Sequence, residues 1–177
     1  MAKQFKRTNT KSRRPVDVYF DRLSASHQLG FMQGSGGFPF VLMIALMVFS
    51  VIGLAWTIPF PKIEFLYNYG RYVNWGYLVI LLWFLYTVRL SVALSFLLLL
   101  FMTAFSEIVK TLTVYEENGG QTVWFISLSL FITSWVGQYI YGQFQEGKTS
   151  FKDDILFVLI TPIWVLHFLA KKIGLRY

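Results

Sequence analysis

Apolar positions fall into four long runs separated by short polar stretches. The first, residues 38–58, has 21 residues and no charge. At ~1.5 Å per residue it reaches ~30 Å, the thickness of a bilayer's hydrocarbon core. The rest of the chain is organised around this predicted membrane helix. Pro59 and Pro61 stop it, and residues 59–71 read as an aromatic, lightly charged interfacial loop. The second run, 72–106, is interrupted only by Arg89. As one helix it would span ~52 Å, too long for a single crossing without severe tilt. An arginine at mid-membrane also costs at least ~2.5 kcal/mol, whereas at a turn it reaches headgroups. The pattern therefore predicts two helices, 72–88 and 91–109, joined by a tight turn at Thr87–Ser91. Glu107 and Lys110 mark the end of the second of these. Glu116, Glu117, Asn118, Gly119 and Gly120 form a polar turn, and a fourth helix follows over about 122–141. After a polar loop, 142–154, comes a last apolar segment, 155–170. It is only 16 residues long and contains Thr161 and Pro162, which predicts a half-helix.

Upstream of the first run, residues 1–14 hold six of the sixteen basic residues and no acid, so they read as a flexible basic tail. Pro15 suits a first helical turn. Val16, Tyr19, Phe20, Leu23 and His27 then share one face, predicting a short amphipathic helix at the interface or under the bundle. Residues 30–37 are a Gly/Ser connector whose glycines have no phosphate-cradling spacing. Nothing here resembles a cleavable signal peptide, so insertion through the first membrane helix is expected.

Charge decides the expected topology. If the last segment crosses, Lys and Arg divide ten inside to six outside. If it only dips in or lies flat, they divide thirteen to three. The positive-inside rule prefers the second arrangement. The expected fold is thus an all-α, polytopic membrane helix bundle. It has four transmembrane helices, a short N-terminal amphipathic helix, a re-entrant or interfacial C-terminal helix, and both termini cytoplasmic. Five crossings is the alternative. Residues 15–177 are expected to form one domain, with a bacterial inner membrane expected in preference to the endoplasmic reticulum.

Composition agrees. The chain is 14% charged with a mean hydropathy of +0.53, against about 25% charged for soluble domains. Its 18 Phe, 10 Tyr and 6 Trp suit lipid contact and interfacial belts. The absence of cysteine excludes disulfides, zinc–thiolate sites and cysteine nucleophiles. The net charge of +7 reads as topogenic and lipid-directed rather than nucleic-acid-binding.

Candidate chemistry is sparse. The two histidines, His27 and His167, are far apart; no HExxH, HxH or GxSxG motif occurs, and helices 1 and 2 carry no acid. That argues against a proton-driven transporter. The most suggestive polar group gathers Trp135, Gln138, Tyr139, Tyr141, Gln143 and Glu146. It lines a small polar site at the membrane surface or, the reading these residues favour, forms an interfacial belt with a hydrogen-bonded glutamine. Arg89, Lys171 and Lys172 are expected to contact lipid headgroups along with this group.

Several stretches carry a family resemblance: His27 in ASHQ, the Arg89-Leu-Ser turn, Trp135-Val-Gly-Gln138-Tyr-Ile, Glu146-Gly-Lys148, Ser150-Phe151, Asp153-Asp154, and Leu159-Ile-Thr-Pro162-Ile-Trp164. Over residues 15–177 the chain resembles the 2-hydroxy fatty acid dioxygenase family of small integral membrane proteins. The resemblance implies that fold and, for the family, Fe(II)-dependent shortening of 2-hydroxy fatty acids by one carbon with oxygen. His27 matches the first of the family's metal-ligand histidines. A second is expected where this chain has Gln33–Gly37. A third is expected at Gly142-Gln143 or Tyr141-Gly142, depending on a one-residue shift. His167 matches no ligand position. What remains (His27, Gln143 and Glu146) offers one imidazole, one weak amide oxygen and one carboxylate, whereas non-haem iron sites usually use two histidines and a carboxylate. The expectation is therefore a non-catalytic protein on the family scaffold, with no cofactor, packing with membrane lipids and other membrane-protein subunits. The alternative is an altered Fe(II) lipid dioxygenase using His27.

Overall fold

A computed structural model describes residues 20, 37–61, 73–143, 151–172 and 174. Among these residues the structure is all-helical, with five helices and no strand: α1 (Gly37–Thr57), α2 (Trp75–Val88), α3 (Val92–Glu117), α4 (Val123–Gln143) and α5 (Phe151–Lys172). Three stretches are long and apolar enough to cross a membrane: Phe38–Thr57, Val92–Glu117 and Val123–Ile140. The basic tail, His27 and most of the predicted amphipathic helix lie outside the described residues.

α1 is the central element and touches all four other helices. Side-chain pairs fix the directions. Phe49 of α1 meets Phe105 of α3, and one turn further on Gly53 faces Val109, so α1 and α3 run parallel. Between them α2 runs antiparallel to both: Trp56 meets Tyr77, and Phe84 meets Phe96. The turn at 87–91 forms as the sequence predicts, with Thr87 O accepting from the N–H groups of Leu90 and Ser91. α4 returns antiparallel to α1, against which it packs most extensively. The seam is made of small residues. A Cβ at Gly53 would lie 2.2 Å from Ser127 Oγ, and one at Gly137 would lie 2.9 Å from the Met43 sulfur. In lipid, where no hydrophobic force drives helices together, such close approach is what gains dispersion energy.

Helix ends depart from expectation for identifiable reasons. α2 begins at Trp75 rather than residue 72, because the Asn74 side chain accepts the Tyr77 N–H at 2.9 Å and caps it. α3 does not stop near residue 109. Glu107 and Lys110 pair at i, i+3 (2.6 Å) on its outer face, and the helix runs two turns further to Glu117. It ends at Gly119, whose φ of +87° permits a Schellman cap: Gly120 N–H bonds Tyr115 O and Gly119 N–H bonds Glu116 O. The Glu116 carboxylate then accepts the Val123 N–H at 2.9 Å, which starts α4.

The last segment is an unbroken helix of 22 residues, not a half-helix of 16. Pro162 lies inside it. Proline removes one backbone donor and crowds the turn before it. In that turn the Trp83 indole N–H donates to Leu159 O at 3.0 Å, so a neighbouring helix supports the backbone there. Ile160–Trp164, Leu166 and Ala170 are buried, chiefly against α3 and α1. The contact Phe40–Trp164 places this half of α5 at the end of the bundle where α1 begins, and the Phe20 ring packs on His167.

Candidate functional site

The polar group foreseen near the end of α4 is split by the helix. Trp135 and Tyr139 point outward, 58% and 68% exposed. Gln138 turns inward and is half-buried. Gly137 beside it has no side chain to hold α1 away, so the Gln138 amide reaches α1 and donates from Nε2 to Met47 Sδ at 3.1 Å. Thioether sulfur is a weak acceptor.

This contact borders a cleft between α1, α4 and α5, lined by Ile44, Met47, Val48, Gln138, Thr161 and Pro162, with a volume of about 10 Å³. That is close to the least space that holds one water. Its lining offers an amide and a hydroxyl but no ionisable group. Such a site can bridge two helices through a water.

The other singled-out residues are dispersed. Arg89 is exposed in the α2–α3 turn, at the C-cap of α2. Tyr141 and Gln143 fall in the last turn of α4, and Lys171 and Lys172 end α5; their side chains lie outside the description. His27 and Glu146 lie outside the described residues altogether, so the arrangement of His27, Gln143 and Glu146 is not on view. Among the described residues no three His, Asp or Glu side chains come together. His167 is a packing residue, its ring 4.8 Å from that of Phe20 and 5.1 Å from that of Phe168.

Sequence reasoning missed Met47 and Thr161 as neighbours of Gln138. The usable signal was the Thr-Pro pair in an otherwise apolar helix. It also missed an aromatic cluster at the opposite end of the bundle. There Trp56 packs on Tyr77, Phe60 on Trp75, the Trp75 indole donates to Pro59 O at 3.3 Å, and the Lys110 ammonium sits 5.6 Å from the Tyr77 ring. Amphipathic aromatic rings of this kind suit a membrane–water boundary.

Comparison with protein-family models, curated proteins and solved structures gives no match for this chain.

Proposed function

We propose that the protein is a four-crossing integral membrane protein with both termini cytoplasmic, acting as a non-catalytic accessory or structural subunit that contacts lipid and other membrane-protein subunits. The scaffold is the one the sequence resembles, that of the 2-hydroxy fatty acid dioxygenase family. The observation that carries this reading is the outward surface of α4. Trp124, Phe125, Ile132, Trp135, Val136, Tyr139 and Ile140 are all exposed on it, with Ser129 and Thr133 the small polar residues among them, while Gln138 turns inward onto a narrow cleft. A surface so apolar is a binding face for lipid or another membrane helix.

The parallel course of α1 and α3 supports four crossings. If both traverse the bilayer in one direction, the chain must return between them, and α2 is the helix that does so. The contact of Trp164 with Phe40, near the start of α1, supports a C-terminus on the same side as the N-terminus. Arg89 belongs to that end too.

The functional reading is tested by elemental mass spectrometry of the protein purified in mild detergent, with His27→Ala alongside. No stoichiometric iron, an unchanged fold in His27→Ala, and co-purifying lipid or membrane protein are the expected results. Near-stoichiometric iron that disappears in His27→Ala would overturn the reading in favour of a lipid oxygenase.

A further inference from the structure

The two sides of the bundle have different apolar heights. On the α4 side, Val123–Ile140 offers 18 uncharged residues, or about 27 Å of helix, and Phe38–Thr57 of α1 offers 20, or about 30 Å. On the α2–α3 side the height is shorter, and two helices give it independently. α2 has 14 residues between the Asn74 cap and exposed Arg89, about 21 Å. α3 is 26 residues long, but only its first 15, 92–106, precede the exposed Glu107–Lys110 pair and carry no charge, about 22 Å. Their polar limits coincide. The turn carrying Arg89 closes both helices at one end, and Lys110, paired with Glu107, lies over Tyr77 at the other. The outer surface between these limits is apolar: Leu78, Leu81, Leu82 and Leu85 of α2, with Phe96 and Leu100 of α3, are exposed. α4 packs chiefly on α1 and only slightly on α3, so it does not cover this face.

A helix shorter than the bilayer core is accommodated by local thinning or by snorkelling of its flanking residues, and tilt would only shorten it further. We propose that the α2–α3 face is fitted to lipid whose hydrocarbon core is thinned to about 22 Å, so that the protein has a thin-membrane side opposite a full-thickness side. The partner is bilayer lipid with short acyl chains, bounded by headgroups at Arg89 and at the Glu107–Lys110 pair. This inference rests on the four-crossing reading.

The chain has no cysteine, so single cysteines can be spin-labelled along the outward positions of α2–α3 and of α4. The labelled proteins are placed in dioleoylphosphatidylcholine vesicles, and collision with oxygen is compared with collision with a water-soluble nickel chelate. Oxygen-dominated stretches of about 14 residues on α2 and about 18 on α4 are expected at ~1.5 Å per residue, with Arg89→Cys and Glu107→Cys reached by nickel. Equal stretches on both sides, or oxygen dominance at Arg89→Cys, would overturn the proposal. Labels on α2 shielded from both reagents would also overturn it, because a second copy of the chain would then cover the face. Unmodified protein provides a check free of substitutions: its unfolding midpoint should fall as phosphatidylcholine chains lengthen from 14 to 22 carbons, and a flat or rising series contradicts the proposal. If an impermeant thiol reagent labels Arg89→Cys and Asn118→Cys from the same side of the vesicle, the four-crossing reading fails instead.

Discussion

Substituting Gly53 by alanine tests the packing on which the bundle depends. The added Cβ would stand 2.2 Å from Ser127 Oγ and 3.1 Å from Ser127 Cβ. Ordinary contact is roughly 3.5 Å, so the first pair is short by about 1.3 Å and the second by about 0.4 Å. Rotating the serine relieves only the first. Overpacking a close-packed seam costs about 1–3 kcal/mol, and alanine returns up to about 1 kcal/mol in helix propensity. The net expectation for Gly53→Ala is about 1–2 kcal/mol of destabilisation. Ser127 Oγ is buried and makes no hydrogen bond among the described residues, so Ser127→Ala removes no bond and should change stability by less than about 1 kcal/mol. In the double variant the 2.2 Å contact no longer exists. The 3.1 Å contact with the Cβ of residue 127 remains, so stability should recover only in part, a coupling of roughly 0.5–1 kcal/mol. The assay is denaturation by SDS in mixed micelles, followed by tryptophan fluorescence. A harmless Gly53→Ala, or a double variant as unstable as the sum of the singles, would refute this account of the α1–α4 seam.

Other consequences follow from single contacts. Trp83→Phe deletes the indole N–H that meets Leu159 O and replaces a buried indole by a smaller phenyl; the lost bond and the cavity together should cost about 2–4 kcal/mol and speed amide exchange in α5 more than in α4. Gly119→Ala meets no atom within 4 Å but forces alanine to φ +87°, so about 1 kcal/mol of backbone strain should appear in the same denaturation assay. Glu116→Ala removes the carboxylate that holds the Val123 N–H; a loss of about 1 kcal/mol is expected, with Glu116→Asp not compensating fully because its shorter arm falls short. Gln138→Leu gives up only a weak bond to sulfur, so a change below about 1 kcal/mol is expected. A much larger loss would show that the Gln138 contact with α1 is worth more than the geometry implies.

The parts of the fold legible in the sequence are those set by length and charge. The uncharged run before Pro59 could only be one membrane-length helix. Arg89, in a run too long for one crossing, had to mark a turn. The end of α3 was not legible by the same logic. Glu107 and Lys110 look like a boundary when charge alone is read, yet as an i, i+3 pair on an outer face they leave the backbone free to continue. The stop is conformational, at Gly119. In α5, Pro162 reads as a break, yet the helix runs through it, and the Trp83 indole supports the neighbouring carbonyl of Leu159, a tertiary contact that no local pattern shows. For the candidate site, Gln138 is legible only as a member of the polar group near the end of α4. Its neighbours are not, because Met47 and Thr161 come from segments 91 and 23 residues away and methionine in an apolar helix carries no local signal.

The central claim is a chain that crosses four times with its termini on one side. Its most direct test uses the cysteine-free background: Arg89→Cys and Asn118→Cys, each in sealed inside-out and right-side-out vesicles, with a membrane-impermeant maleimide. Arg89→Cys should react only from the cytoplasmic face and Asn118→Cys only from the opposite face. Reaction of both from one face would contradict the account.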